Sequence, residues 1–272
     1  MENNEIQILN NAVEIARIEI DTQISTAKQY PREVVKIIRD VTALSTMDKE
    51  TAASCFYAKP IGGGKVATGA SVRFAEIVLA MWGNIRLKSY ISNETDKAVI
   101  AVAEIHDLEK NIAVSSEVSV SIITQFGKQS ANQIEVTKMA AQSKARRNAI
   151  LTVIPKGFFN AALEKIKNAS VEDVETASKE ALKTSFDKAV LFYAKKGVTI
   201  NEIYKALAVI DEDEITKEHL IILGGFRTAI NEKTETIDSI FRPEGIDNSS
   251  NVDFEDAEED QKGEELFKDE KK

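Results

Sequence analysis

Three consecutive glycines behind a proline, in Pro60-Ile61-Gly62-Gly63-Gly64-Lys65, constrain this chain more than any other feature. Proline removes a backbone donor and glycine removes the steric limit on φ, so no helix crosses this run. The flanks 56–59 and 65–68 then have one simple use, as the two arms of a β-hairpin with a flexible tip. Over 70–82 apolar residues return at helical spacing, with Val72, Ala75, Ile77, Val78 and Leu79 inward. Ser71 is placed to cap that helix and Gly83 to end it.

Upstream, Ile6, Leu9, Val13, Ala16, Ile20 and Ile24 recur at steps of three and four and predict a helix over 5–26. It either docks on its own domain, which is the plainer expectation, or contacts a neighbouring subunit. Pro31 can open a second helix that carries Val34, Val35, Ile37, Ile38, Val41 and Leu44. Asp48 can cap a brief third.

Downstream the period changes to two. Ile85 and Leu87, then Val99, Ala101, Ala103 and Ile105, then Ile112, Val114, Val118, Val120 and Ile122 predict an antiparallel meander with turns at 93–97 and 107–111. Gly127 ends it. A long helix follows over 133–154, halted by Pro155, and a short one over 158–167. Residues 185–241 form a compact helical pattern punctuated by Gly197 and Gly224-Gly225. The fold class is therefore α+β, a meander and a hairpin packed with helices, then a small all-α domain and a disordered acidic tail. The expected boundaries are 1–27 for the N-terminal helix, 28–168 for the core, 169–184 for a linker, 185–242 for the helical domain and 243–272 for the tail.

Charge divides the chain in the same place. Residues 28–167 carry 20 Lys and Arg against 13 Asp and Glu, a net of +7, whereas 169–272 carry 14 against 26, a net of -12. A basic body with an acidic tail is the asymmetry of a nucleic-acid binder. The tail has too little apolar surface to offset its ordering entropy; its Leu266-Phe267 pair could dock a partner. Cys55 is the only cysteine and reads as a small core residue. No signal peptide or membrane span is legible, so a cytoplasmic protein is expected.

The candidate phosphate ligands are Lys59 and Lys65 beside the glycine turn, Arg73 on the following helix, and Lys138, Lys144, Arg146, Arg147 and Lys156 on and just past the long helix. Cations beside unshielded backbone amides suit a phosphate backbone. Wheel angles bring Lys144 and Arg147 together but set Lys138 and Arg146 elsewhere, so the helix has no single basic stripe. Bases need flat partners, and Phe56 and Tyr57, with Trp82 and Phe126, are the candidates, although all lie close to core periodicity. Gly64-Lys65 is not a nucleotide-binding loop, because Lys59 stands where its first glycine belongs and Val66 where Ser or Thr should follow. Asp48 with Glu50, Glu94 with Asp96, and Asp107 with Glu109 have the makings of Mg2+ ligands in a nuclease. Turns collect acids routinely, however, and no cofactor is expected. His106 and His219 are isolated from any cysteine or histidine cluster, and no catalytic motif is complete.

The order of helices, basic-tipped hairpin, helix, meander and long basic helix resembles the phage single-strand annealing proteins of the RecT/Redβ superfamily, including the Sak-type groups. The resemblance covers about residues 28–167. It is carried by the hairpin Pro60 to Lys65, the helix from Gly69 to Trp82, and Ala140 to Pro155 with its Arg147-Asn148 step. Tyr30-Pro31-Arg32 and Trp82-Gly83-Asn84 look like signatures of a phage subgroup. The resemblance implies ATP-independent annealing of complementary single-stranded DNA by a homo-oligomeric ring or filament. It also implies contact with a phage nuclease or a single-strand binding protein through the C-terminal helices. The rival expectations are a single-strand shielding protein with a partner-recruiting tail and, behind it, a metal-dependent nuclease or NTPase.

Overall fold

The computed structural model describes residues 2–62, 65–124, 127–171 and 179–243. It is α+β. Helices α1 (Glu2–Gln29), α2 (Val34–Ser45) and α3 (Lys49–Ser54) lead into the hairpin β1 (Phe56–Gly62) and β2 (Lys65–Ala70). Helix α4 (Val72–Trp82) precedes the meander β3 (Ile85–Glu94), β4 (Ala98–Asp107) and β5 (Ile112–Ser121). A two-residue ribbon, β6 (Ile123–Thr124) with β7 (Gly127–Lys128), continues past the expected end of the meander. Helices α5 (Ala131–Val153) and α6 (Lys156–Ala169) follow, then α7 (Lys179–Ala194), α8 (Ile200–Leu207), α9 (Lys217–Asn231) and α10 (Ile237–Phe241).

The caps explain the boundaries. Asp48 accepts from the Thr51 amide and Ser71 from the Phe74 amide, as their spacing predicts. Gly83, at φ 63°, ends α4 in a conformation glycine adopts freely. Pro31 does not open α2, which starts three residues later behind Glu33.

Val99, Ala101, Ala103 and Ile105 of β4 bury one face of the meander against α5. There Ala141, Ala145 and Ala149, four residues apart, form a smooth ridge that lets the helix lie close to the sheet. Phe56, Phe74, Phe158 and Phe159 close this core from the α4 and α6 side. Each fully buried aromatic contributes about 1.5–3 kcal/mol relative to exposure.

A second core joins α7 to α10, and it includes Ala58, with Tyr57 and Val66 packed against it. The hairpin thus lies on α9 and ties the 28–168 core to the helical region. Gly224 and Gly225 are not punctuation but the interior of α9, where the β1 backbone crosses. A Cβ on Gly225 would stand 2.6 Å from the Ala58 Cβ and 2.7 Å from its amide nitrogen. A Cβ on Gly224 would meet only the Phe56 ring, at 3.9 Å. Gly225→Ala should therefore lower unfolding stability by about 1–3 kcal/mol through overpacking. Gly224→Ala should raise it by up to about 1 kcal/mol through helix propensity. Urea melts of the two variants check this opposition of sign.

Helix α1 docks on its own domain only by its last turns, and residues 11–19 are exposed. Val13, Ile15 and Ile18 are 61%, 66% and 58% exposed, Ile20 and Ile24 are half-buried, and among the described side chains of the helix only Ala27, near its end, is buried. At the two ends of the expected linker 169–184, α6 reaches Ala169 and α7 covers Lys179 onward. Residues 172–178, the Gly63-Gly64 tip, Phe126 and the tail from 244 onward fall outside the described residues. Among the described residues no helix is long and apolar enough to cross a membrane.

Candidate nucleic-acid interface

The hairpin, α4 and α5 bring five of the eight candidate cations into one charged patch. Arg147 of α5 lays its guanidinium over the Tyr57 ring of β1, 4.9 Å from the centroid. Lys144, one turn earlier, is largely desolvated, and that burial, offset by Glu235 and reinforced by Lys59 and Arg147, holds its pKa below the ordinary value. Arg146 reaches across to Glu76 of α4 at 3.3 Å. Arg73 and Glu76 line a small depression of about 180 Å³ with Ser143 and Glu232.

Three carboxylates are built into this patch. Glu235 holds Lys59 at 3.0 Å. Glu76 holds Arg146. Glu232, just past the end of α9, accepts from the amides of Val72 and Arg73, both at 3.3 Å, and so occupies the positive N-terminus of α4. Burial raises the Glu232 pKa, and the two amides and the Arg147 charge only partly offset it. Five cations against three carboxylates leave a net of +2. A phosphate backbone entering here must compete with these internal anions. Glu235→Gln is accordingly expected to tighten oligonucleotide binding severalfold at low salt, because it frees Lys59 without adding a contact; fluorescence anisotropy reads the change.

The other candidates lie apart or have other partners. Lys65 is exposed on the far arm of the hairpin, beside its tip. Lys138 is two turns from Lys144 and faces Glu94 at 2.8 Å and Glu135 at 2.7 Å. Lys156 opens α6, beyond Pro155, more than about 13 Å along the α5 axis from Lys144. Phe56 is fully buried and offers no surface to a base, a correction that follows from its place in the main core. Tyr57 is half-buried, with its ring against Gly69 and under Arg147, so stacking there requires the guanidinium to move. Trp82 is buried between Arg32 and Phe158.

The carboxylate pairs are engaged elsewhere. Arg32 donates to Asp107 Oδ1 at 2.9 Å, its backbone amide donates to Glu109 at 2.9 Å, and its guanidinium lies 4.9 Å over the Trp82 ring. Asn84 donates to the Tyr30 carbonyl at 3.0 Å and to Glu109 at 3.3 Å. Tyr30-Pro31-Arg32, Trp82-Gly83-Asn84 and the 107–111 turn thus form one structural knot. Burial pushes the carboxyls of Asp107 and Glu109 up, but Arg32 and the hydrogen bonds outweigh it and hold both below their ordinary range. Asp48 caps α3, and Asp96 pairs with Lys128. His106 faces Asn111, and His219 accepts the Thr216 amide in the capping box of α9. Burial pushes the Cys55 thiol up to about 11, consistent with a core residue. Among the described residues no group of three His, Cys, Asp or Glu is placed to hold a metal.

No protein-family model matches this chain, and no curated protein or solved structure matches it.

Proposed function

We propose that this chain binds single-stranded DNA through the hairpin–α4–α5 patch and anneals complementary strands as a homo-oligomer, in the manner of the RecT/Redβ proteins it resembles. The observation that supports this reading is the gathering of Lys59, Arg73, Lys144, Arg146 and Arg147 from three separate elements onto one surface. Five cations so placed serve a polyanion better than a single small ligand. The chemistry is alignment. Two strands held extended on one assembly meet at high effective concentration, and base pairing completes the reaction without bond making.

The exposed apolar residues of α1 supply a contact for a neighbouring subunit, and the assembly is read as a ring or filament. The helical region and the acidic tail serve a nuclease or a single-strand binding protein, in the cytoplasm of a phage-infected host. The decisive experiment follows duplex formation between complementary fluorophore and quencher oligonucleotides. An annealing protein accelerates it. Retardation would assign the chain to strand shielding, and no effect with no binding would overturn both. Cleavage in Mg2+, or nucleotide hydrolysis lost in Lys65→Ala, would instead promote the enzyme reading.

A further inference from the structure

The meander has a second face that no described element covers. The strand register sets Arg86, His106 and Ala113 in one row, Lys88, Glu104 and Ser115 in the next, and Tyr90, Val102 and Glu117 in a third. These are the residues that alternate with the buried positions facing α5. The first two rows line an open depression of about 500 Å³.

Two features of this face are unexplained by the fold. The Nη1 atom of Arg86 is buried with no hydrogen-bond partner among the described residues, and a buried charged donor left unmet is costly. Lys88 forms no ion pair among the described residues; its ammonium lies 5.2 Å over the Tyr90 ring. Glu104, the nearest acid, already accepts from the Tyr90 hydroxyl at 2.8 Å. Arg86, Lys88 and Tyr90 thus run in line along one strand, at about 6.8 Å per step. Along β3, two cations and then an aromatic ring, with Val102 beside it, match the repeat of phosphates and a flat base in an extended strand, while the two acids of the face, Glu104 and Glu117, stand on β4 and β5.

We propose that this open sheet face is a second polynucleotide site, in which Arg86 and Lys88 take phosphodiester oxygens and Tyr90 takes a base. It rests on the reading of the chain as a single-strand binder, and adds that each subunit holds two strands on opposite sides of the sheet. Such a subunit bridges two strands and raises the local concentration of one beside the other. An acidic peptide fits less well, because it would pair along the β3 edge and leave the in-line ring unused.

Isothermal titration with a short oligothymidylate tests this on the full chain. Wild type should bind two equivalents per protomer. Arg86→Gln with Lys88→Gln should bind one, with the affinity of the remaining site unchanged within about twofold. Ser115→Glu, an exposed change that places a negative charge in the same row, should do the same and guards against misfolding of the first variant. Arg146→Ala with Arg147→Ala should keep the sheet-face equivalent and lose the other. One equivalent in wild type, or two in the sheet-face variants, overturns the second site while leaving the first. Absence of any binding by wild type overturns both.

Discussion

Arg32→Ala should lower the stability of the chain by about 3–5 kcal/mol, the loss expected when one member of a buried ion pair is removed. The side chains of Arg32 and Asp107 are each only 5% exposed. The substitution leaves the Asp107 carboxylate without its cation, leaves Glu109 with only the more distant Lys110 at 3.8 Å, and removes the cover of Trp82. It also removes a tie between the segment that precedes α2 and the α4–β3 turn, since Arg32 reaches the carbonyls of Gly83 and Asn84. Urea unfolding followed by circular dichroism measures the change. The pH dependence has a definite sign. The folded pKa values of Asp107 and Glu109 are lowered, so their contribution is fully present above the unfolded carboxylate values, near 4. It is lost as pH falls through the lower folded values. Acid destabilisation in that window should be smaller in Arg32→Ala than in wild type, since the hydrogen bonds to Asp107 and Glu109 from backbone amides and Asn84 remain. Equal acid sensitivity in both would show that these carboxylates do not depend on Arg32.

Arg146→Ala with Arg147→Ala should weaken binding of a single-stranded oligonucleotide at the hairpin–α4–α5 patch at least tenfold at moderate salt. It should also flatten the dependence of log affinity on log salt by about 1.4, two phosphate contacts at about 0.7 each. Both side chains are half-buried at the junction of α5 with α4 and the hairpin, within the proposed interface. Stability should change little by comparison, because the ion pair of Arg146 with Glu76 is partly exposed. A variant that binds as wild type across the titration would remove these two residues from the interface.

How much of this was legible beforehand depends on the reach of each interaction. Ser71 and Gly83 bound α4, and the period-two runs became β3, β4 and β5, because caps and alternation are local. Pairings across the chain were not legible. Glu232 on the α4 amides, Glu235 on Lys59 and Arg32 on Asp107 join residues separated by 75 to 176 positions, and no spacing rule reaches so far. Phe56 and Tyr57 show the same limit. Alternation marks them as opposite faces of a strand, but only the fold reveals that one enters the main core and the other lies under Arg147. Gly224-Gly225 read as a break because glycine usually is one; in α9 the pair makes room for a neighbouring strand. The open sheet face carried a usable signal, since Arg86, Lys88 and Tyr90 alternate with Ile85, Leu87 and Ile91. That signal acquires meaning only once no described helix is seen to cover it.

The central claim is that the hairpin and α5 hold the sugar–phosphate backbone. Photo-crosslinking of wild-type protein to one limiting equivalent of a single-stranded oligonucleotide, followed by peptide mapping, tests it most directly. The account predicts crosslinks concentrated in the peptides of β1, β2 and residues 141–150, lost at high salt. Crosslinks confined to α7 through α10, or none at all under conditions of saturated binding, would contradict it.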